Sequence, residues 1–210
     1  MKIFAYDGPL ITTLNKLIDY VMLGLLWVLY SVPLITIGAS TSAMLFTAEN
    51  RIYKGKGKML PMFWKRFRAD FKQASLLWLI QVLMIAFLGL NLFATYALQL
   101  PKMLLVLHVV VGILVLSWMQ LWFAYLSRFH DNIRTLLSNT FYIALKHLPY
   151  ALVLLLVAAV TVAGAAFAVL GISSLILLIP GVYALLSGGV FRKIFSEYMD
   201  AQENSARSSE

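Results

Sequence analysis

Residues 51–73, RIYKGKGKMLPMFWKRFRADFKQ, carry eight Lys or Arg against one acid, Asp70, and lie between long apolar stretches. That alternation constrains the chain more than any other feature. Cytoplasmic loops of membrane proteins accumulate Lys and Arg, so a basic block between apolar segments fixes orientation. The apolar segments are long enough to matter. Four stretches reach about 20 residues, the length a helix needs to cross a bilayer core. Of the 210 residues, 61% are hydrophobic and 12% charged. A soluble domain is about 45–50% apolar and about 25% charged. The reading is an all-α integral membrane protein.

The net charge of +8 would point a soluble protein toward nucleic acid. Here ten of the 17 basic residues fall within 51–72 and 128–134, where positive-inside bias places them. Nucleic acid is therefore not expected as a partner. The bilayer and its anionic headgroups are. No cysteine is present, which excludes disulfides, thiolate metal sites and cysteine nucleophiles.

In chain order, Asp7-Gly8-Pro9 signals a turn. Leu10, Leu14, Leu17 and Ile18 then follow helical spacing. The apolar run 18–48 is interrupted at Pro33. Its second half holds Thr36, Gly38, Ser40, Thr41 and Ser42, small residues that favour close helix packing. Two readings compete there: a tight turn followed by a closely packed helix, or a re-entrant element lining a substrate path. A cleaved signal peptide is disfavoured, because the run is long and Asp19 stands at its start. Further spans are expected at 74–98, 103–126, 150–170 and 175–191, the last broken at Pro180-Gly181 and Gly188-Gly189. An uncharged turn is expected at 171–174 and a disordered cytoplasmic tail at 200–210.

The same plan recurs. Leu60, Phe63, Phe67 and Phe71 mark one face of an amphipathic segment before a helical hairpin, with Lys65, Arg66, Arg68 and Lys72 interleaved. Leu137, Phe141, Ala144 and Leu148 do so before the next. Three units result, with elbow helices at 9–17, 59–73 and 134–148. Their hairpins lie at 12–50, 74–126 and 150–193. Six transmembrane helices in one domain, 1–199, follow, with both termini cytoplasmic. Five helices is the alternative, with 34–48 not crossing. Phe63, Phe67 and Phe71 would sit in the membrane surface. Lys65, Arg66, Arg68 and Lys72 would meet headgroups or a partner.

Few ionisable groups enter the apolar segments. Asp19 and His108 read as interfacial, and His130 lacks a second His at ligand spacing. Gln81, Asn91 and Gln120 could line a polar path or bond between helices. The inner ends share a pattern: Glu49-Asn50-Arg51, Arg128 with Asp131-Asn132, and Arg192-Lys193 with Glu197. If the repeats pack together, Arg51 or Arg128 would pair with Glu49 or Asp131 and clamp helix ends. The competing reading is solvated loop charge. No GxxxxGK[ST], GxSxG or HExxH is present. The expectation is a protein without catalytic, metal or cofactor sites.

The stretches LLWVLYSVPLITIGASTSAMLF, FKQASLLWLI and YLSRFHDNIRTLLSNTFYIALKHLP resemble the YesL-like family of Gram-positive bacterial membrane proteins. The resemblance covers roughly residues 5–200, and 33–41 with 128–132 carry most of it. It implies an accessory role in carbohydrate uptake, because members tend to be encoded beside carbohydrate-uptake and carbohydrate-degradation genes, sugar ABC importers included. Permease subunits are the implied partner, with a homo-oligomer as a further option. The resemblance supplies no catalytic residue. From the residues themselves, Pro33, Thr36, Gly38, Ser40, Thr41, Asn50, Arg51, Arg128, Asp131 and Asn132 are candidates for structural or partner contacts. A small solute transporter or channel is the rival reading, with Gln81, Asn91, Gln120 and 36–42 lining its path.

Overall fold

A computed structural model describes residues 9–170 and 178–207, and every regular element among them is helical. Seven α-helices follow in order: α1 (Pro9–Tyr30), α2 (Ile37–Thr47), α3 (Met59–Ala97), α4 (Lys102–Leu126), α5 (Ile133–Lys146), α6 (Leu148–Leu170) and α7 (Ile179–Arg207). Four of them are long and apolar enough to cross a membrane: α1, α3, α4 and α6.

Helix α1 opens on Pro9, whose missing N–H costs nothing in a first turn. It stops before Pro33, which disfavours helical backbone at Val32. The Thr36 hydroxyl satisfies the exposed carbonyl end, reaching the Tyr30 and Pro33 oxygens at 2.6 Å each. A short 3-10 turn, Leu34–Thr36, then leads into α2.

Helix α2 is the buried centre, packed against α1, α3, α4 and α7. Gly38, Ala39, Ser40, Ser42, Ala43, Met44, Leu45 and Thr47 are all buried. Small side chains let neighbouring backbones approach. At Gly38 a Cβ would stand 2.4 Å from the Ala74 carbonyl oxygen and 2.9 Å from both Trp78 and Phe123. No other residue type fits there without moving α3. A π-helical turn, Ala48–Tyr53, continues the chain into the loop 54–58. Gly55 and Gly57 hold φ of 64° and 74° in that loop, the left-handed region that glycine enters freely.

The expected elbows fare differently. Ile133–Lys146 is a separate amphipathic helix with Leu136, Thr140, Ile143 and Ala144 buried, and His147 breaks it from α6. The other two are corrections. Residues 9–17 and 59–73 are not separate elements but the first turns of α1 and α3. Nothing between Pro61 and Ala97 interrupts α3. Its junction, Lys72-Gln73-Ala74, consists of good helix formers, so the helix runs unbroken for 39 residues, about 58 Å. Phe63 and Phe67 are also corrections: both are buried, and the Tyr30 ring sits 5.3 and 5.2 Å from theirs. Phe71 is exposed.

The three expected hairpins are not equivalent. In the first, α2 has 11 residues against 22 in α1. In the third, α7 runs through Gly188-Gly189 without a break, because Gly188 accommodates the Tyr53 ring rather than ending the helix. The stretch expected to be a disordered tail is helical as far as Arg207, and Ala201, Gln202, Glu203 and Ala206 favour that. The turn expected at 171–174 lies outside the described residues, as do residues 1–8 and 208–210.

Burial is concentrated at one end. Phe63, Leu77, Trp122, Leu126, Phe191 and Phe195 are fully buried there. Toward the far end, where a tight turn at Leu98–Pro101 joins α3 to α4, the side chains face outward. Phe87, Phe93 and Met103 are 66%, 68% and 84% exposed.

The Gly38 contact makes a direct prediction. Gly38→Leu should lower the thermal midpoint of the purified protein, because overpacking at such a site costs about 1–3 kcal/mol. Gly164→Ala, with nothing within 4 Å of its Cβ, should cause no loss. Tryptophan fluorescence during heating checks both.

Candidate functional site

Two features stand out: a network of charges at the buried end, and a cavity farther along the bundle. The network begins with Ser42 on α2, which donates to Asp70 on α3 at 2.5 Å. Asp70 also accepts from Arg66 Nε at 2.7 Å, an i,i+4 pair in which both side chains are almost fully buried. The other guanidinium nitrogens donate across to the 126–130 region, to the Leu126 carbonyl and to His130 Nε2 at 2.8 Å. Phe46 lies 5.0 Å beneath the cation. Arg66 is therefore not a headgroup contact, which corrects the sequence reading. It shares a helix face with Phe63, Phe67 and Asp70 and turns inward with them. Lys65, Arg68 and Lys72 are exposed.

A second carboxylate, Glu49, lies in the π-helical turn and is buried. Arg128 approaches it at 3.6 Å, Lys54 at 3.7 Å and Arg192 at 3.9 Å. Burial pulls the Arg128 guanidinium down to about 10, while Glu49 holds it up. The phenyl ring of Phe195 lies 5.2 Å from that guanidinium. Arg128 Nε and Glu49 Oε2 make no hydrogen bond within the protein, and both residues border a cleft of about 130 Å³, roomy enough for a few waters. Arg51 turns the other way, to Asp19 on α1 at 3.3 Å. Asp131 accepts from the Tyr125 hydroxyl at 2.5 Å, and its carbonyl accepts from Gln73 at 2.6 Å.

Of the candidate residues, then, Arg128 meets Glu49, and Arg51 meets Asp19 rather than joining them. Asn50 donates to Phe46 in its own helix. Asn132 is exposed at the start of α5, and Pro33 is exposed in the turn. The Glu197 side chain lies outside what is described. Sequence reasoning missed the Ser42–Asp70–Arg66 chain. Its signal was present: one acid in a basic helix, four residues after an Arg and on the face that carries two Phe.

The cavity, about 670 Å³, lies between one face of α2 and the helices α1, α3, α4, α6 and α7. Its α2 wall is Ile37, Thr41, Met44 and Leu45, at helical spacing. Opposite stand Ala158, Thr161 and Ala165 of α6, too small to fill the gap. Trp27 Nε1 donates to Thr41 Oγ1 at 3.0 Å, and the Tyr183 hydroxyl to Gln120 Oε1 at 3.0 Å. Gln81 also lines the cavity. Asn91 does not. It donates to Phe87 on its own helix. Thr36, Gly38 and Ser40 lie outside the lining as well.

Residues 20–92 match the model of a family described as a protein of unknown function, DUF624, a family known in bacterial membrane proteins. The match takes in the second half of α1, all of α2 and most of α3, and so includes Ser42, Glu49, Arg66 and Asp70 but not Arg128. No curated protein and no solved structure matches the chain.

Removing one member of a buried ion pair leaves the other uncompensated and costs about 3–5 kcal/mol. Arg66→Ala and Asp70→Ala should each lower the thermal midpoint strongly. Lys65→Ala, Arg68→Ala and Lys72→Ala should leave it unchanged. Differential scanning fluorimetry of the five variants distinguishes an inward Arg66 from a headgroup-facing one.

Proposed function

We propose that this chain is a multi-pass accessory protein of the bacterial cell membrane, working beside a carbohydrate importer and packing against its permease helices. It carries no reaction of its own. The resemblance to the YesL-like family supports the carbohydrate setting. The observation that carries the packing role is the α3–α4 hairpin. Toward its turn the hairpin is widely exposed, with Leu90 and Val106 67% and 62% exposed. Gly89 and Gly112 stand in it with nothing within 4 Å of their Cβ positions. A helix-interior glycine costs about 1 kcal/mol against alanine, and in membranes glycine recurs where helices approach one another closely. Two such glycines on exposed apolar helices suit a partner helix.

The charged groups support an orientation. Asp19, Glu49, Arg66, Asp70, Arg128, Asp131 and Arg192 gather at one end, opposite the α3–α4 turn. The basic loops then face the cytoplasm by positive-inside bias, together with both termini. Lys65, Arg68 and Lys72 lie exposed at that end, available to anionic headgroups.

Mild solubilisation from native membranes should bring permease subunits with the protein. Gly89→Leu with Gly112→Leu should reduce that recovery by at least tenfold while the thermal midpoint holds. A homogeneous, partner-free particle at native expression would overturn the reading. For orientation, the cysteine-free background allows single probes. Lys56→Cys should label only from the cytoplasmic side and Leu100→Cys only from the outside.

A further inference from the structure

The cavity has a composition that selects its contents. Among its described lining residues none is charged. Ions, sugar phosphates and free carboxylates would pay the full cost of desolvation there with no compensating partner. Its volume falls within the about 300–1,000 Å³ typical of small-molecule sites, which are mostly apolar with a few placed polar groups.

Two polar atoms in that wall lack partners. Ser31, 7% exposed, keeps an unpaired hydroxyl, and Gln81 an unpaired amide oxygen. An unmet buried acceptor costs about 1–3 kcal/mol. Neither atom has a neighbour in the protein to satisfy it. Thr41, Gln120 and Tyr183, by contrast, are already engaged with their own neighbours.

The rim indicates how a ligand enters. Val32, Leu34 and Val162 border the cavity and are 73%, 75% and 69% exposed. Val162 belongs to the candidate span Leu148–Phe167. Val32 and Leu34 flank the Pro33 turn, and Val162 sets the α6 side of the rim in a segment apolar enough to face hydrocarbon.

From the uncharged wall, the two orphaned polar atoms and the apolar rim, we infer that the cavity is a binding site for an uncharged long-chain amphiphile. Its chain occupies the space between α2 and α6, and the Gln81 side chain turns its amide oxygen to accept from a hydroxyl group there. An acyl chain and an isoprenyl chain share this chemistry. The site stands independently of the accessory role, since it uses none of the hairpin glycines.

The test is photolabelling of the purified protein in nanodiscs with a diazirine-bearing monoacylglycerol. Label should map to α1, α2 and α6 residues around the cavity, saturate, and be competed by monoolein or by farnesol. The stronger competitor tells acyl from isoprenyl. Ala158→Phe, which puts a ring across the space between α2 and α6, should abolish the competed fraction. Gln81→Leu should weaken competition about tenfold, the worth of one hydrogen bond at about 1.4 kcal/mol. Gln81→Leu guards against an overpacked Ala158→Phe that fails to fold. Three results would overturn the site: label spread over all exposed helices without competition, oleate competing as well as monoolein, or hexadecane doing so. Recovery of permease subunits is a separate readout, so either proposal can fail alone.

Discussion

The close approach of α2 to α3 at Gly38 is the contact on which the rest of the bundle depends. A helix built from Gly, Ala, Ser and Thr buries little apolar area per residue. It holds its place by proximity, through the many weak contacts that short separations allow. With the Ala74 carbonyl 2.4 Å from a notional Cβ, the two helices are as near as their backbones permit. That nearness brings the Ser42 hydroxyl to Asp70. Asp70 in turn fixes Arg66, and Arg66 reaches the end of α4. One missing side chain thus propagates through three helices as a chain of hydrogen bonds.

The charges at the buried end act as clamps rather than as a site for chemistry. Each acid there has a cationic or hydrogen-bonding partner from a different element: Asp19 with Arg51, Glu49 with Arg128 and Arg192, Asp131 with Tyr125. A buried ion pair is weak evidence of net stabilisation, because desolvation offsets attraction. Its stronger consequence is specificity. Any register that separated Glu49 from Arg128 would leave the buried Arg128 guanidinium without its carboxylate. The network therefore selects one arrangement of helices that otherwise present interchangeable apolar faces to each other.

How much of this the residues announced depends on the range of the interaction. Local signals were legible. Pro33 marked the turn, the small residues of α2 marked close packing, and the helical spacing of Leu137, Phe141 and Ala144 marked α5, although the face that helix buries is that of Leu136, Thr140 and Ile143, with Phe141 left exposed. The direction of a face was harder to read. An amphipathic stretch with Phe on one side and cations on the other looks the same whether the Phe enter lipid or protein. Phe63 and Phe67 enter protein because Tyr30 and α2 lie there, a fact of tertiary placement. Arg66 followed them inward because its helix turn allowed no other direction. The continuity of α3 was missed for a related reason. A charge boundary at Lys72 was read as a structural boundary, yet backbone hydrogen bonding does not respond to where lipid begins.

The cavity follows from the same packing that makes α2 the centre. One face of α2 is drawn tightly against α3 and α4, which leaves the face of Ile37, Thr41, Met44 and Leu45 on the cavity. Helix α6 presents Ala158, Thr161 and Ala165 on that side, too small to close on Ile37, Met44 and Leu45 of α2. In water such a gap would tend to collapse. Among helices whose outer surfaces are solvated by lipid, closing it yields no hydrophobic gain, because lipid tails are as apolar as the cavity wall. A void of this kind persists when something fills it. The uncharged lining and an apolar rim, set apart from the charged end, are the features that suit a filler drawn from the bilayer.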